Sequence, residues 1–323
     1  MELYNSEIDL ITVNEKIEAL RGEVSKAIIG QKSLIQWIIN GLLCNGHLLL
    51  EGNPGLAKTT SARCIAKTID SGFSRIQFTP DLMPADILGS YIFNPQLHQF
   101  EFKKGPVFSN IILIDEINRA PARTQSALFE VMEERQVSID GHQHSLDFPF
   151  LVLATQNPIE MEGTYRLPEA QLDRFQLKID IPYPSAEEEM AMLSHFKEGK
   201  DLSSLKDIQT VWSVQDLKYM QNLVHIVRID DKLIQYITQI VQQSRKSRDF
   251  ILGASPRAAI YLLKSARAHA LISGRDYVIP EDIVDVSLPV LSHRLIMSAE
   301  RELDGVSMDA LIKKLLKGIE VPR

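Results

Sequence analysis

The sequence has few cysteines, and their placement argues against a metal site. Among 323 residues there are only two, Cys44 and Cys64, and both stand in apolar stretches typical of helices. They do not have the spacing of a structural metal site. We therefore expect both to be buried, reduced thiols.

The chain also lacks an excess of basic charge, a long apolar run and a basic start. Its net charge is −7, whereas proteins that coat duplex nucleic acid need basic surfaces to neutralise phosphates. No apolar run approaches the ~18 residues that a membrane span requires. The first seven residues have neither the basic start nor the apolar stretch of a signal peptide. We expect a cytoplasmic protein with no membrane span, and we do not expect nucleic acid among its partners.

What the sequence does contain is a repeated alternation of short apolar strands with helical segments. Hydrophobic residues make up 45% of the chain and charged residues 24%, as in ordinary globular proteins. A helical pattern over 14–45, broken at Gly30, comes first. The predicted strands cover 47–51, 75–79, 110–115, 150–155 and 177–181. They are continuously apolar, which is typical of strands buried on both faces of a parallel sheet. The pattern predicts an α/β fold with helices on both faces of the sheet.

Two segments interrupt this alternation, and a third region replaces it. Residues 89–105 and 136–148 have the patterns of β-hairpins, the second with the favoured turn Asp140-Gly141. After residue 186 we expect no further strands. The predicted helices there cover 187–196, 214–223, 230–245, 256–272 and 280–296. We expect two domains, an αβα core with two inserted hairpins over 1–184 and an all-α lid over 185–323.

A phosphate-binding loop follows the first predicted strand and leads into a helix. Its residues are Gly52, Asn53, Pro54, Gly55, Leu56, Ala57, Lys58, Thr59 and Thr60. Backbone N–H groups of such a loop wrap phosphates, and the helix N-terminus adds its positive end. Lys58 supplies a cation for the β and γ phosphates, and Thr59 a hydroxyl for Mg²⁺. Ala57 stands where the motif usually has glycine. An alanine still donates its N–H and costs only a methyl group, provided that φ there is negative.

Two adjacent carboxylates end the third predicted strand. Four apolar residues lead directly into Asp115 and Glu116, which therefore emerge at the carboxyl edge of the sheet. Ligands of open parallel sheets bind along that edge. About 55 residues after a phosphate loop, Asp115 is expected to hold Mg²⁺ and Glu116 to polarise the attacking water.

Three further residues complete the predicted site. Asn157 follows the next strand, where its amide would orient the water between the γ-phosphate and Glu116. Arg174 ends a helix from which it would not readily reach the phosphates of its own chain, so we expect it to project into a neighbour's site. Arg257 opens a helix of the lid, where it could touch the γ-phosphate across the domain cleft. As a pair, these arginines fit an ATP site shared between subunits.

Several motifs together resemble the MoxR family of AAA+ ATPases. They are Asp115-Glu-Ile-Asn-Arg-Ala-Pro121, Thr124-Gln-Ser-Ala-Leu128, Met132-Glu-Glu-Arg-Gln-Val137, Thr155-Gln-Asn-Pro158, Glu162-Gly-Thr164 and Leu167-Pro-Glu-Ala-Gln-Leu-Asp-Arg-Phe175. The resemblance extends over nearly the whole chain, from about Ile28 to the end, and is most specific over residues 110–175. Arg166 departs from it, because the family usually has proline at that position.

The resemblance implies roles for the residues and for the protein. It identifies Lys58 and Thr59 as Walker A, Asp115 and Glu116 as Walker B, Asn157 as sensor 1, Arg174 as arginine finger and Arg257 as sensor 2. The backbone of Ile29 and Gly30 would meet the adenine ring. The two hairpins would be the family's helix-2 insert and the insert before sensor 1. It further implies a homo-hexamer that uses ATP and Mg²⁺ in chaperone-like remodelling of protein clients, or in metal insertion, with a separate von Willebrand A-domain protein as partner.

Two alternatives stay open at this point. A nucleic-acid-translocating motor would share the inserted hairpins, but it should have Lys or Arg at their tips. The tips are 94–98 and 140–143, and neither contains one, although Lys103 and Lys104 are close to the first. The second alternative is a switch that assembles on ATP and scarcely hydrolyses it, which the complete set of motifs disfavours.

Overall fold

The computed structural model describes residues 8–157, 165, 167–198 and 204–322. Pro158, Glu162, Gly163, Thr164 and Arg166, which the family resemblance singled out, lie outside the described residues. The predicted N-terminal helical region forms two helices, α1 (Leu10–Ser25) and α2 (Lys32–Leu43). The predicted break at Gly30 is confirmed, because Gly30 has a φ of 72°. Asp9 begins α1 earlier than predicted, since its side chain accepts a hydrogen bond from the backbone N–H of Thr12.

The core of the molecule is a five-stranded parallel sheet. Its strands are β1 (His47–Glu51), β2 (Phe73–Gln77), β5 (Ile111–Asp115), β8 (Leu151–Gln156) and β9 (Phe175–Asp180). They are arranged in the order β2-β5-β8-β1-β9, and all neighbours are parallel. All five predicted strands are present, the first with the predicted bounds and the other four with bounds shifted by one or two residues. The predicted α/β architecture is confirmed.

Both faces of the sheet are covered, which explains the continuously apolar strands. Leu48 and Leu50 of β1 belong to one hydrophobic cluster, and Leu49 between them belongs to the cluster on the opposite face. The helices of this part are, after α1 and α2, α3 (Lys58–Thr68), α4 (Pro84–Leu88), α5 (Ala122–Glu134) and α6 (Glu169–Leu172). The predicted buried, reduced cysteines are confirmed, because Cys44 and Cys64 are both buried and free.

Both predicted hairpins are present and they pack on each other. The first pairs β3 (Gly89–Asn94) with β4 (Gln99–Lys104), and the second pairs β6 (Gln136–Ile139) with β7 (His142–Ser145). The ring of His144 stacks on that of Phe102 with 4.0 Å between centroids. Gly89 begins the first hairpin at a φ of 95°, where a Cβ would lie 2.2 Å from the carbonyl oxygen of Lys103. Only glycine is compatible with this entry to the hairpin.

The region after the sheet is mainly helical. Its helices are α7 (Ala186–Lys197), α8 (Val214–Ile226), α9 (Asp231–Lys246), α10 (Pro256–Ile272), α11 (Pro280–Leu291), α12 (Ala299–Leu303) and α13 (Met308–Lys317). The prediction that strands stop after residue 186 was wrong, since β10 (Phe250–Leu252) pairs with β11 (Ile296–Met297). The predicted last helix was too long for the same reason, because the chain leaves α11 at Leu291 to form β11. Among the described residues, no helix combines the length and the apolar character required to cross a membrane.

Candidate functional site

The predicted phosphate loop connects β1 to α3 and wraps the amino end of that helix. Gly55 has a φ of 86° and Ala57 a φ of 56°, so both lie in the left-handed region. The condition of a negative φ at Ala57 is therefore not met. Ala57 is the N-cap of α3, and the chain must turn left-handed there to bring the loop's N–H groups to the helix axis. This conformation explains why glycine is usual at the position, and it costs an alanine about 1–2 kcal/mol.

Lys58 begins α3 and points back across the loop. Its ammonium donates a hydrogen bond of 2.7 Å to the carbonyl oxygen of Gly52. Partial burial lowers the pKa of Lys58, while Asp115 and Glu116 act in the opposite direction through their negative charge. The nearby carboxylates thus favour the charged form of Lys58, which is the form that binds phosphate.

A cavity of about 370 Å³ joins the phosphate loop to the carboxyl ends of three neighbouring strands. Its predicted lining residues are Gly52, Pro54, Gly55, Leu56, Ala57, Lys58, Thr59, Thr60, Asp115, Glu116 and Asn157. Asn53 is the one residue of the predicted loop that does not line it. Its side-chain amide donates instead to the hydroxyl of Tyr183 at 2.6 Å.

The two carboxylates lie where β5 ends. Asp115 is its last residue, and Glu116 turns out of the strand with a φ of 56°. The hydroxyl of Thr155 accepts a hydrogen bond from the backbone N–H of Glu116 and donates one to Asp115 at 3.2 Å. This double contact joins β8 to β5 at the cavity and fixes the backbone from which both carboxylates project.

Residues of β2 also contact the carboxylates, and the sequence did not indicate them. The Nε atom of Arg75 is 2.6 Å from Oδ2 of Asp115, and the amide of Gln77 donates to Glu116 at 2.8 Å. Both line the cavity. They are adjacent to the carboxylates because β2 pairs with β5, with Gln77 opposite Asp115. In the sequence they are two polar residues within the predicted strand 75–79, and this polar character does not by itself indicate a role.

Arg174 and Arg257 lie together in a second cavity of about 180 Å³. One carboxylate bridges them, because the two oxygens of Glu133 are each 2.9 Å from one of the arginines. Arg135 and Lys264 also line this cavity. Its described lining residues therefore include four cationic side chains and one acidic side chain, Glu133. Sequence reasoning did not identify Glu133, although it belongs to a motif of the family resemblance.

The structure corrects the expected position of Arg257. It was expected to reach the γ-phosphate of its own chain, but it does not line the phosphate cavity. The carboxylate of Asp173 accepts hydrogen bonds from Ser255, the N-cap of α10, and from Nε of the buried Arg294. These bonds attach the beginning of α10 to the residue that precedes Arg174. Arg257, two residues after Ser255, is thereby held beside Arg174.

The two cavities lie at opposite edges of the same sheet, one at the carboxyl ends of its strands and the other at their amino ends. The phosphate loop follows the carboxyl end of β1, whereas Asn45, Gly46 and His47 at its amino end line the arginine cavity. Arg174 likewise precedes β9, whose six residues span about 20 Å at 3.3 Å each. The cavities have no lining residue in common within the described part of the chain. The arginine pair therefore faces away from the phosphate loop of its own chain.

Ile29 and Gly30 lie in the short connection between α1 and α2, and neither lines the phosphate cavity. Gly30 borders a third cavity together with residues of α1 and α2. The carboxylate of Glu188 packs on Gly30 so closely that a Cβ there would lie 2.4 Å from it. The structure therefore places the expected adenine-binding segment beside the beginning of α7.

Comparisons with known proteins agree with this architecture. Residues 47–177 match the family model described as "ATPase family associated with various cellular activities (AAA)", and residues 242–315 match the AAA lid domain. Chaperone MoxR1 of Mycobacterium tuberculosis is 43% identical in an alignment of 310 positions, which covers 93% of this chain and 81% of that protein. The Bacillus subtilis protein YeaC is 43% identical over 299 residues, 93% of this chain and 92% of YeaC. A solved structure from Cytophaga hutchinsonii has a TM-score of 0.89 at 43% identity and covers 97% of both chains.

Proposed function

We propose that this chain, which belongs to the MoxR family of AAA+ ATPases, hydrolyses ATP in the phosphate cavity and completes each site with arginines from a second copy. The observation that supports this most strongly is the position of the two cavities. The phosphate loop and the Arg174–Arg257 pair lie at opposite edges of one sheet. Copies arranged head to tail would bring the arginine edge of one chain to the phosphate edge of the next.

The residues of the phosphate cavity fit a nucleotide bound with Mg²⁺. The backbone N–H groups of residues 52–59 and the amino end of α3 would hold the phosphates, with Lys58 as the counter-charge. Thr59 and Asp115 offer the hard oxygen ligands that Mg²⁺ requires. The metal ion, when bound, would neutralise charge on the phosphate oxygens. Ile29 and Gly30 would contact the adenine with their backbone.

Glu116 and Asn157 would act in the hydrolytic step. Glu116 would accept a proton from the attacking water, and Asn157 would orient that water with its side-chain amide. The hydrogen bond from Gln77 to Glu116 keeps the carboxylate at the cavity, on the side of β2. Arg174 and Arg257 of the neighbouring copy would stabilise the negative charge that develops on the γ-phosphoryl group.

We further propose that the ATPase cycle remodels protein clients, or inserts metal into them, within a homo-hexamer. The name of the relative Chaperone MoxR1 supports an action on protein clients, and the similarity to it extends over most of both chains. A separate von Willebrand A-domain protein would be the partner that selects the client. We also propose that residues 1–184 and 185–323 form the core and the lid, which agrees with the family models that match on either side of residue 184.

Substitution of Glu116 by Gln tests the hydrolytic assignment. The amide keeps the size of the side chain but cannot accept the proton, so we expect turnover to fall at least about 100-fold. The affinity for a fluorescent ATP analogue should stay within a few-fold of the wild type. Glu130→Gln on the exposed face of α5 is the matched control and should hydrolyse ATP normally. Equal turnover in Glu116→Gln and wild type would contradict the assignment.

A further inference from the structure

Helix α7 carries a row of large apolar side chains that this chain leaves uncovered. Met190, Leu193 and Phe196 are 67%, 71% and 79% exposed, and no residue of α7 is buried. Their spacing of three places them along one side of the helix. Single exposed apolar residues are common on protein surfaces, but a contiguous row of this size is typical of an interaction surface.

The beginning of α7 is attached to the phosphate edge of the molecule. Tyr183, just before the helix, accepts a hydrogen bond from Asn53 of the phosphate loop. Glu188 in the first turn packs against Gly30. Both contacts follow from the topology, because α7 comes directly after the carboxyl end of β9. The uncovered row of α7 therefore extends from the edge of the sheet where the phosphate cavity opens.

The charge of this surface is complementary to the opposite edge of the same chain. The first turn of α7 contains Glu187, Glu188 and Glu189, of which Glu187 and Glu189 are exposed. The arginine cavity has four cationic lining residues, Arg135, Arg174, Arg257 and Lys264, and one carboxylate, Glu133. An acidic, apolar surface at one edge and a basic cavity at the other fit the two halves of a single contact.

We propose that α7 is the docking surface for a second copy of this chain, which contacts it with the arginine edge. The acidic first turn would face the partner's cations, and the Met190–Leu193–Phe196 row would be buried against the partner's surface around them. Because the two halves are unlike, the contact is head-to-tail and can close into a ring. This inference rests on the proposed sharing of the ATP site. It identifies α7 as the surface that would hold the partner's arginines at that site.

The double substitution Leu193→Glu with Phe196→Glu tests the surface directly. Both side chains are exposed, so the variant should fold normally, which thermal melting of the monomer verifies. Light scattering over a concentration series, with Mg²⁺ and a non-hydrolysable ATP analogue, measures assembly. We expect the concentration for half-assembly to rise at least about tenfold. The matched control is Leu303→Glu on α12, a leucine that is 89% exposed, and it should assemble like the wild type.

The outcomes separate this inference from the proposed function. If the wild type assembles and the double variant assembles equally well, α7 is not the docking surface and the inference is overturned, while the shared site stands. A wild type that stays monomeric at every concentration would overturn both. If the double variant melts early, the single substitution Phe196→Ser replaces it, and normal assembly of that folded variant would overturn the inference in the same way.

A mixing experiment tests the head-to-tail direction. The α7 double variant still supplies Arg174, and an Arg174→Ala chain still supplies an intact α7 beside its own nucleotide cavity. Each should be inactive alone, and a mixture should regain ATPase activity because one complete site can form between the two. Absence of activity in the mixture, at concentrations where the wild type is active, would overturn a contact between unlike edges.

Discussion

At the scale of single residues, Ala57 is held in a backbone conformation that favours glycine. Its φ is 56° at the N-cap of α3, inside the loop that wraps the phosphate cavity. A left-handed alanine costs about 1–2 kcal/mol, whereas glycine adopts the conformation freely but loses about 0.5–1 kcal/mol through the entropy of the unfolded chain. The first effect is the larger one, so strain remains in the native loop.

We therefore predict that Ala57→Gly stabilises the protein by roughly 0.5 kcal/mol, measured as the free energy of unfolding in urea. The control is Ala127→Gly in the middle of α5, where the backbone is helical. That change should lower the free energy of unfolding by about 1 kcal/mol, because glycine is a poor helix former. The two variants should thus differ in sign. Destabilisation by both would mean that the loop relaxes around Ala57 without strain.

Most of the residues that form the phosphate cavity could be predicted from the sequence. The phosphate loop and the Asp115–Glu116 pair could be found because each is a short motif in a readable strand-and-loop context. Arg75 and Gln77 of this cavity could not, nor could Glu133 of the arginine cavity. They reach the site through the pairing of β2 with β5 and through the position of α5 beside Arg174. Such neighbours are separated by tens of residues along the chain, and no local pattern reports them.

At the scale of secondary-structure elements, the amino end of β1 is fixed by a buried histidine. Nδ1 of His47 accepts the backbone N–H of Val152 in β8, and Nε2 bonds to the carbonyl oxygen of Met132 in α5. These partners require the neutral imidazole with its proton on Nε2. Burial lowers the pKa of His47 to about 3 from 6.5, and the positive charge of Arg135 acts in the same direction.

This histidine should make stability depend on pH. Below pH 6.5 the unfolded chain binds a proton at His47 and the folded chain does not, so stability is complete above that pH and falls toward pH 3. From pH 7 to pH 5 we predict a loss of about 2 kcal/mol from this group, at 1.4 kcal/mol per unit of pH below 6.5. Burial also lowers the pKa of His293, which adds a loss in the same direction.

Urea unfolding at pH 7 and pH 5 measures this effect, with His47→Gln as the comparison. The glutamine can still donate and accept hydrogen bonds but does not titrate, so the stability difference between the two pH values should shrink. His293 should leave a smaller residual difference. An unchanged difference in His47→Gln would contradict the assignment of the effect to His47.

The bounds of an element could be predicted well where the sequence contains residues that cap or end it. The bounds of α10 agree with the prediction because Ser255 caps the helix and Pro256 occupies its first turn. The end of α11 was predicted five residues too late, since the apolar pattern continues through Leu295 while the backbone changes to β11. β10 and β11 have three and two residues, too few for any periodicity. α13 was not predicted, although Leu311, Ile312 and Leu316 form its buried face.

At the scale of the whole molecule, the protein has two unlike functional edges. The sequence predicted that Arg174 would project into a neighbour's site and that Arg257 could touch the γ-phosphate across the domain cleft, whereas in the structure Arg257 lies beside Arg174. The attachment of α10 to Asp173 decides that position, and it is a tertiary contact between residues 82 apart in sequence. With both arginines at the amino edge of the sheet, a single copy would contain all the groups of the reaction but not in one site. Each complete site would therefore need two copies of the chain.

The rate of ATP hydrolysis per chain, measured against protein concentration alongside light scattering, tests this claim most directly. Wild type, Arg174→Ala and a surface control, Arg228→Ala, whose side chain is 70% exposed, would be compared. We predict that the rate per chain rises as the wild type and the control assemble. It should stay at least about 1,000-fold lower in assembled Arg174→Ala, in the range of arginine-finger losses. A rate per chain that is independent of concentration and unaffected by Arg174→Ala would contradict the shared site.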